Sequence, residues 1–318
     1  MSRVAVLKGG RSLERQVSLK SAARVVGALE RRGHDVVEID VGSDLVERLR
    51  EAEADVAFIA MHGRDGEDGT VQELLELVGI PYTGSDPFAC IRCWDKVLTK
   101  HALVEAGIPT PPFYAFNETA FRGLGAAQAL PEIEERLEFP IVVKPASQGS
   151  ALGIKFARTA AEVPKALLTA FSYDSKILLE RHVAGHDLSV SILDSPDGPV
   201  VLPVVEAIAH PDDDFYDFVA RYEVGRTHFA CPAEIGFNSA SGAQALALRA
   251  YELLGCQGFA RVDLMLDATT GESFVLEVNA IPGLTTTSLL PQAAEAAGID
   301  FDSLISRVLE LALARAAA

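Results

Sequence analysis

Short apolar runs alternate with helical patterns over residues 1–92 of the chain. The apolar runs predict three strands, at Val4–Leu7, Val36–Val41 and Val56–Met61. Apolar residues at helical spacing predict three helices between and after these strands, at Gln16–Arg32, Leu45–Glu51 and Thr70–Gly79. Strands and helices that alternate in this way are typical of a small parallel sheet flanked by helices.

The pattern changes after this region, and the remainder divides into two further stretches. Residues 93–185 hold one predicted helix and two predicted strands, at Lys96–Ala106, Ile141–Lys144 and Ile177–Glu180. Residues 186–318 hold a polar irregular segment at Asp212–Cys231 and a predicted helix at Ala240–Leu254. Further strands and a C-terminal helix are also predicted in this stretch. We therefore predict a mixed α/β (α+β) fold.

Two apolar runs near the C-terminus carry the polar side chains that first indicate a functional site. The runs Ala260–Leu266 and Phe274–Asn279 are joined by a turn that contains glycine, which predicts an antiparallel hairpin. Side chains alternate between the two faces of a strand, so Glu277 and Asn279 share one face. Folding the hairpin about its turn can set Asp263 opposite Glu277.

The facing carboxylates have two explanations. Like charges on neighbouring strands destabilise a sheet, and a divalent cation held by oxygen ligands removes that repulsion. Mg²⁺ bound by a few carboxylates usually completes its coordination with substrate phosphates, which favours a nucleotide-using enzyme. The alternative is a solvent-facing strand pair with ordinary surface charges, and the hairpin alone leaves both explanations open.

The composition limits the classes of protein. A length of 318 residues suggests roughly two domains, or three small ones. The net charge of −17 argues against nucleic acid or an anionic membrane as a partner, because either would need a basic surface. No apolar stretch approaches the ~20 residues that span a bilayer, and a strand pattern stands where a secretion signal would lie. We expect a soluble cytoplasmic protein.

The cysteines are too few for a disulfide framework in a chain of this length; they are Cys90, Cys93, Cys231 and Cys256. Cys90 and Cys93 have C-x-x-C spacing, but no second pair accompanies them. Buried free thiols are therefore favoured over a zinc or redox site.

A strand that ends in Lys144 leads into a Gly-rich loop containing Gly149 and Gly153. Glycines let backbone N–H groups approach an anion closely, and a lysine at the strand end adds positive charge for a phosphate. A plain turn with a solvated lysine is the alternative.

Farther along, Glu180 and Asp187 could accept hydrogen bonds from a purine amino group and ribose hydroxyls, or could be surface charges. The Gly-rich loop is not a Walker A loop, because the G-x-x-x-x-G-K-S/T pattern is absent. The G-x-G-x-x-G pattern of dinucleotide-binding loops is also absent, which argues against a dehydrogenase.

Short polar and Gly-containing motifs follow one another along essentially the whole chain. In order, they are Gly9-Gly10-x-Ser12-x-Glu14-x-x-Val17-Ser18, His62-Gly63-x-x-Gly66-Glu67-Asp68-Gly69-x-x-Gln72, Pro81-Tyr82-Thr83-Gly84-Ser85, Asp95-Lys96, Val143-Lys144-Pro145 with Gly149-Ser150-x-x-Gly153, Glu180, Arg261-x-Asp263-x-Met265-Leu266, and Glu277-x-Asn279-x-x-Pro282-Gly283-x-Thr285. Each motif is weak alone, but their joint order and spacing resemble the D-alanine–D-alanine ligase family of the ATP-grasp superfamily.

This resemblance implies an ATP-grasp fold with an N-terminal Rossmann-like parallel sheet and two further subdomains built on antiparallel sheets. The implied subdomains are residues 1–92, which hold the first D-alanine site, 93–185, the central ATP-grasp part, and 186–318, which carries the metal and catalytic residues. ATP would lie between the last two. A homodimer is the family expectation.

The resemblance also assigns roles around ATP. Lys96, Lys144 and Arg221 would contact phosphates. The adenine would be held by Glu180 and the backbone near Val183, and the ribose by Asp187. The ligands of two Mg²⁺ ions, which Mn²⁺ could replace, would be Asp263, Glu277 and Asn279.

The remaining implied roles concern the amino-acid substrates. Glu14 would bind the ammonium of the first D-alanine, with His62 nearby, and Ser150 would position the reacting groups. Arg261 would stabilise developing negative charge. The segment Ser288–Leu289 would hold the carboxylate of the second substrate, and a lid over Phe215–Tyr222 would exclude water, with Tyr222 typical of D-alanine-selective members.

The implied reaction joins two D-alanines through an acyl phosphate, releases ADP and phosphate, and supplies cell-wall peptidoglycan. Three positions depart from the family pattern: Arg221 replaces a common lysine, Asp187 replaces a glutamate, and Ala280-Ile281 replaces a pair that often contains threonine. These departures leave open another ATP-grasp carboxylate–amine ligase that forms a different dipeptide. A regulatory nucleotide-binding protein without turnover is a further alternative. The presence of all the implied catalytic and metal-binding residues argues against it; they are Lys144, Arg261, Asp263, Glu277 and Asn279.

Overall fold

Three β-sheets organise the part of the chain that the structure, a computed structural model, describes, which is residues 1–209 and 227–316. The first is a parallel sheet of β1 (Arg3–Lys8), β2 (Asp35–Asp40) and β3 (Val56–Ile59), with β1 in the centre. Helices follow its strands, at α1 (Arg15–Arg31), α2 (Leu45–Ala52) and α3 (Thr70–Val78). All four residues of β3 are buried, as expected of a strand covered on both faces. The predicted parallel sheet is confirmed.

Two helices connect the first sheet to the second, α4 (Pro87–Trp94) and α5 (Lys96–Glu105). Asp86 caps α4 by accepting a hydrogen bond from the Ala89 N–H, with Pro87 at the first helical position. Asp95 caps α5 in the same way, accepting from the Val97 and Leu98 N–H groups at 2.8 and 3.2 Å. The caps fix where each helix begins, and Asp95 thereby places Lys96 in the first turn of α5.

The second sheet is antiparallel, with strand order β4-β7-β5-β6. Its strands are β4 (Phe113–Asn117), β5 (Ile141–Pro145), β6 (Lys155–Ala157) and β7 (Lys176–Arg181). Three helices accompany it, at α6 (Glu118–Gly123), α7 (Leu130–Leu137) and α8 (Val163–Phe171). Helix α8 buries Val163, Leu167 and Ala170 against the sheet. This packing leaves the opposite face of β5 and β7 available for polar residues such as Lys144 and Glu180.

The third sheet is also antiparallel, with order β11-β10-β8-β12-β13, and β9 pairs with β8. Its strands are β8 (Gly185–Leu193), β9 (Val200–Val201), β10 (Val205–Ala209), β11 (Thr227–Ala230), β12 (Phe259–Asp267) and β13 (Ser273–Asn279). The helices of this region are α9 (Phe237–Leu254), α10 (Leu289–Ala296) and α11 (Phe301–Ala316). The predicted irregular segment therefore ends too late in the chain, because Thr227–Ala230 forms a strand along the edge of β10.

The apolar cores join parts of the chain that are distant in sequence. The core of the first sheet includes Leu304, Ile305 and Val308 from α11. The core of the third sheet includes Leu103 from α5 together with residues of α9. The division at residues 92/93 and 185/186 stays a prediction. Within the described residues, no helix is both long and apolar enough to cross a membrane.

Candidate functional site

The β12–β13 hairpin brings the predicted metal ligands together. Asp263 pairs with Glu277, and Arg261 pairs with Asn279, in antiparallel register. The predicted opposition of Asp263 and Glu277 is therefore confirmed. Asn279 Nδ2 donates a hydrogen bond to Asp263 Oδ2 at 3.1 Å. A register shift just after Asp263 marks a β-bulge, a feature that re-aims side chains on a strand.

Cationic side chains lie beside both carboxylates of the hairpin. Arg261 donates from Nε and Nη2 to the two oxygens of Asp263, at 2.7 and 2.8 Å. Lys96 Nζ lies 3.3 Å from Glu277 Oε2. Ser189 Oγ donates to Asp263 Oδ1 at 2.5 Å. Arg261 and Lys96 thus offset the repulsion between the two facing carboxylates.

The oxygen atoms of the hairpin fit Mg²⁺ as part of a larger donor set. Within the described residues, no group of three or more His, Cys, Asp or Glu side chains could hold a metal ion. Asp263, Glu277 and Asn279 offer two carboxylates and an amide, which are hard ligands suited to Mg²⁺. Mg²⁺ commonly completes such a partial set with water and substrate phosphates. The hairpin is therefore suited to a metal ion that is bound together with a nucleotide.

Lys96 is held between the hairpin and the Gly-rich loop. Its Nζ donates to the Gln148 carbonyl at 2.6 Å, in addition to its ion pair with Glu277. The loop itself is unusual, because Ser150 and Ala151 have φ values of 52° and 57°, in the left-handed region. Backbone strain of this kind often accompanies functional loops. Lys96 at the start of α5 adds its charge to the positive end of the helix, which favours an anion.

A cavity of about 440 Å³ lies between the second and third sheets. It is lined by four of the residues predicted to bind ATP, which are Lys144, Glu180, Val183 and Asp187. Its apolar walls include Phe156, Met265 and Leu276, which the sequence analysis did not select. Their positions on strands of two different sheets gave no signal that they would face one another. The combination of apolar walls and a few polar groups is typical of a site for a flat organic ring.

Glu180 is buried at the back of this cavity between two lysines. Lys144 Nζ donates a hydrogen bond to Glu180 Oε1, and Lys100 Nζ lies 2.8 Å from Glu180 Oε2. Burial acts to raise the pKa of Glu180, but Lys100 and then Lys144 oppose it, and the net shift is downward. Burial lowers the pKa of Lys100 to about 8. Lys100 was not predicted as a site residue although it lies one turn after Lys96 on the same side of α5, because no sequence pattern indicated that Glu180 would pack against it.

A smaller cavity, of about 40 Å³, brings together the residues predicted to bind and activate the amino-acid substrate. They are Glu14, His62, Ser150 and Arg261, and the predicted metal ligand Asn279 lines the same cavity. A narrow neighbouring cavity is lined by Lys96, Glu277 and again Asn279. Asn279 therefore connects the metal-ligand hairpin to the cavity around Glu14.

Glu14 is the most perturbed carboxyl group in this small cavity. Its Oε1 accepts a hydrogen bond from Ser150, whereas its buried Oε2 has no hydrogen-bond partner among the described residues. Burial raises the pKa of Glu14 from 4.5 to about 7, and repulsion from Glu67 adds to the shift. The Ser150 hydrogen bond and the charges of His62 and Lys96 act in the opposite direction. A buried acceptor without a partner is suited to a cationic ligand.

His62 is fixed on both sides of its ring. Its Nε2 lies 2.9 Å from Ser21 Oγ, and its Nδ1 lies 3.4 Å from Glu67 Oε1. Glu67 belongs to a quoted motif but was not selected as a site residue. It lines both small cavities, so it is a second member of the site that the sequence analysis missed.

Ser288 and Leu289 stand at the start of α10. Ser288 Oγ accepts a hydrogen bond from the Thr285 N–H at 2.9 Å and lies 2.8 Å from Thr285 Oγ1. The Leu289 side chain is buried in the core of the first sheet, so only its backbone could meet a ligand. The predicted lid, with Arg221 and Tyr222, lies outside the described residues.

Comparison with known proteins accounts for this arrangement. Family models described as "D-ala D-ala ligase C-terminus" and "D-ala D-ala ligase N-terminus" match residues 102–310 and 43–85. The D-alanine–D-alanine ligase of Moorella thermoacetica is 42% identical over 311 residues, which cover 98% of this chain and 99% of that protein. The chain belongs to the D-alanine–D-alanine ligase family. The ligase of Marinomonas sp. is 43% identical over 312 residues, covering 96% of this chain and 94% of the relative.

Solved structures of a D-alanine–D-alanine ligase and of a D-Ala:D-Ser ligase have the same fold. The Bacillus anthracis enzyme complexed with ATP is 32% identical, with a TM-score of 0.83 over 100% of this chain and 99% of that one. The VanG D-Ala:D-Ser ligase of Enterococcus faecalis is 27% identical, with a TM-score of 0.81 over 97% of this chain and 98% of that one. The predicted ATP-grasp fold, with one parallel and two antiparallel sheets, is thus confirmed.

Proposed function

We propose that this protein joins two D-alanines to D-alanyl-D-alanine, using ATP and releasing ADP and phosphate. The observation that carries the proposal is the pairing of Asp263 with Glu277 beside Lys96. This group lies between the cavity lined by Lys144 and Glu180 and the smaller cavity lined by Glu14. A substrate carboxylate and a nucleotide phosphate could therefore meet there. Relatives of nearly equal length, at about 40% identity, carry this activity in their names.

The larger cavity would hold ATP. Its apolar walls would sandwich adenine, with Glu180 and the Val183 backbone at its polar edge and Asp187 toward the ribose. Lys96 and Lys144 would approach the phosphates, as would Arg221 from outside the described residues. The match to an ATP complex of the family supports this assignment.

Two Mg²⁺ ions would be held by Asp263, Glu277 and Asn279, and Mn²⁺ could replace them. Metal ions at such a site neutralise charge on the transferring phosphoryl group. Arg261 holds Asp263 in place through two parallel hydrogen bonds and adds positive charge near the reacting atoms.

Glu14 would bind the ammonium of the first D-alanine. Its unpartnered Oε2 provides an acceptor, and an ammonium there would favour the ionised form of a carboxyl group whose pKa burial raises. His62 lines the same cavity as Glu14, and the Ser150 hydrogen bond connects Glu14 to the Gly-rich loop. Binding therefore aligns the substrate carboxylate toward the metal ligands and Arg261, where proximity and charge neutralisation favour phosphoryl transfer.

The identity of the second substrate is the main alternative. Because the chain is also similar to a D-Ala:D-Ser ligase, D-serine is the alternative second substrate. Ser288 and the Leu289 backbone would bind the second carboxylate, and Tyr222 would favour D-alanine. The greater identity to D-alanine–D-alanine ligases supports D-alanine as the second substrate.

Phosphate release from ATP and Mg²⁺ tests the proposal when D-alanine, L-alanine, D-serine and D-lactate are offered separately and in pairs with D-alanine. D-alanine alone should suffice, and the product should be D-alanyl-D-alanine. Faster release with the D-alanine and D-serine pair would move the second substrate to D-serine. ATP binding without release on any substrate would favour the non-catalytic alternative.

Two further properties stay predictions. An ATP-dependent supplier of peptidoglycan precursors would act in the cytoplasm, and the family expectation of a homodimer can be measured by sedimentation.

A further inference from the structure

Lys100 is a fully buried ammonium to which the proposed function gives no role. Its exposed fraction is 0%, and its Nζ donates a hydrogen bond to Thr110 Oγ1 at 2.6 Å. Thr110 Oγ1 donates onward to the Val275 carbonyl at 2.7 Å. The same Nζ lies 2.8 Å from Glu180 Oε2. Lys100 therefore links Glu180 to β13, the strand that carries Glu277.

The charges around Glu180 do not balance in the ligand-free arrangement. One carboxylate faces two ammonium groups, because Lys144 also donates to Glu180. Lys144 lines the large cavity and is the residue assigned to the phosphates. If Lys144 turns toward a phosphate, one carboxylate and one ammonium remain in the buried pair. Without Lys100, the same movement would leave an unpaired buried carboxylate, which is strongly unfavourable.

The contact between Lys100 and Glu180 also leaves an acceptor free. Lys100 Nζ lies 2.8 Å from Glu180 Oε2, but a carboxylate oxygen has two lone pairs, so Oε2 can accept a second hydrogen bond from a ligand. An ionised carboxylate can only accept hydrogen bonds, whereas a protonated one can also donate. Adenine offers an amino group at the position where hypoxanthine carries a carbonyl oxygen. An ionised Glu180 therefore favours adenine, and a protonated Glu180 would accommodate either base.

We propose that Lys100 is a positioning residue for nucleotide recognition, which keeps Glu180 ionised once Lys144 engages the phosphates and thereby selects adenine. The inference rests on the proposed function, because it takes ATP as the substrate. Besides Lys144, the titratable groups that interact with Glu180 and Lys100 include Glu277 on β13 and His182, two residues along the chain from Glu180.

The test is calorimetric titration of the K100M variant with ATP and with inosine triphosphate, in the presence of Mg²⁺. At pH 7 we expect the preference for ATP to fall by about tenfold, because the site no longer enforces an acceptor. Titration in buffers of different ionisation enthalpy should show uptake of up to about one proton per ATP, since Glu180 becomes protonated when Lys144 leaves it. The unaltered protein should show less uptake.

Two matched variants separate this role from a structural one. T110V keeps the ammonium but removes its hydrogen bond, so it should lower thermal stability without changing the ratio of ATP to inosine triphosphate affinity. K20M removes an exposed lysine of α1 and should change neither quantity. If T110V shifts the ratio as much as K100M does, the role is general support of the site and the proposal is wrong.

A second comparison does not require K100M to fold. Lys100 acts through Glu180, so E180Q and the double variant K100M/E180Q should have the same ratio of affinities and no linked proton uptake. A further tenfold change of the ratio in the double variant would overturn the proposal. Failure of the unaltered protein to bind ATP would overturn both this inference and the proposed function. ATP binding with an unchanged ratio and unchanged proton uptake in K100M would overturn this inference alone.

Discussion

Glu14→Gln tests the raised pKa of the buried Glu14 carboxyl group through folding stability. The pKa of Glu14 is raised from 4.5 to about 7, mainly by burial. Between these values the folded chain binds more protons than the unfolded chain, so stability falls as pH rises through this window, and the loss is complete above about pH 7. A difference of roughly two to three pH units, at about 1.4 kcal/mol each, gives a total of about 3 kcal/mol.

Glutamine stays neutral at every pH, so this loss should disappear in the variant. From pH 5 to pH 8.5, the stability of Glu14→Gln relative to the unaltered protein should rise by about 2 to 3 kcal/mol, because most of the total falls in that interval. Urea unfolding at both pH values, without substrates, measures the change. Glu30→Gln, an exposed position on α1, is the control and should show no such rise. An equal pH dependence in Glu14→Gln and the control would refute the raised pKa.

The remaining predictions concern the metal ligands, the loop and the core. Glu277→Gln should lower turnover by at least about a hundredfold, because the metal site loses a charge, while leaving the thermal unfolding midpoint within a few degrees; the exposed Glu272→Gln of the same hairpin should retain activity, and comparable activity in the two variants would remove the metal assignment. Gly149→Ala should raise the KM for D-alanine, because the added Cβ would lie 2.5 Å from Glu14 Oε2; an unchanged KM would argue against Glu14 as the ammonium site. Leu304→Ala should cost about 2–5 kcal/mol in the urea unfolding of the whole chain, since Leu304 is fully buried against the first sheet; a loss below about 1 kcal/mol would mean that α11 contributes little to that core.

Periodicity and turn residues predicted those elements whose conformation depends mainly on residues close together in the sequence. The two-residue period and the glycine of the turn were enough to predict the β12–β13 hairpin, and the register of Asp263 with Glu277 agrees. Helix α4 was missed although Asp86 followed by Pro87 is a start signal, because its eight residues are too short for a clear period. Strand β11 was missed because it is short and lies at a sheet edge.

The candidate site was predicted less completely because it depends on contacts between distant segments. Ser150 and Glu14 were each selected by resemblance, but their hydrogen bond joins residues 136 positions apart, and no sequence pattern indicated it. Lys100 was missed for the same reason, because its partner Glu180 is distant in sequence. Glu67, by contrast, lies close in sequence to its partner His62 and within the same motif. A charged residue becomes part of a site only when the fold buries it beside a partner, as Glu180 is buried beside Lys100.

The packing of α11 on the first sheet has a consequence for synthesis on the ribosome. The strands β1, β2 and β3 emerge first, yet part of the apolar surface that covers them comes from Leu304, Ile305 and Val308. This surface has no native partner until nearly the whole chain has been translated. The nascent protein therefore exposes apolar surface that is prone to aggregation for most of its synthesis. Ribosome-bound chains that stop before Phe301 should therefore recruit holdase chaperones more strongly than the full-length protein does.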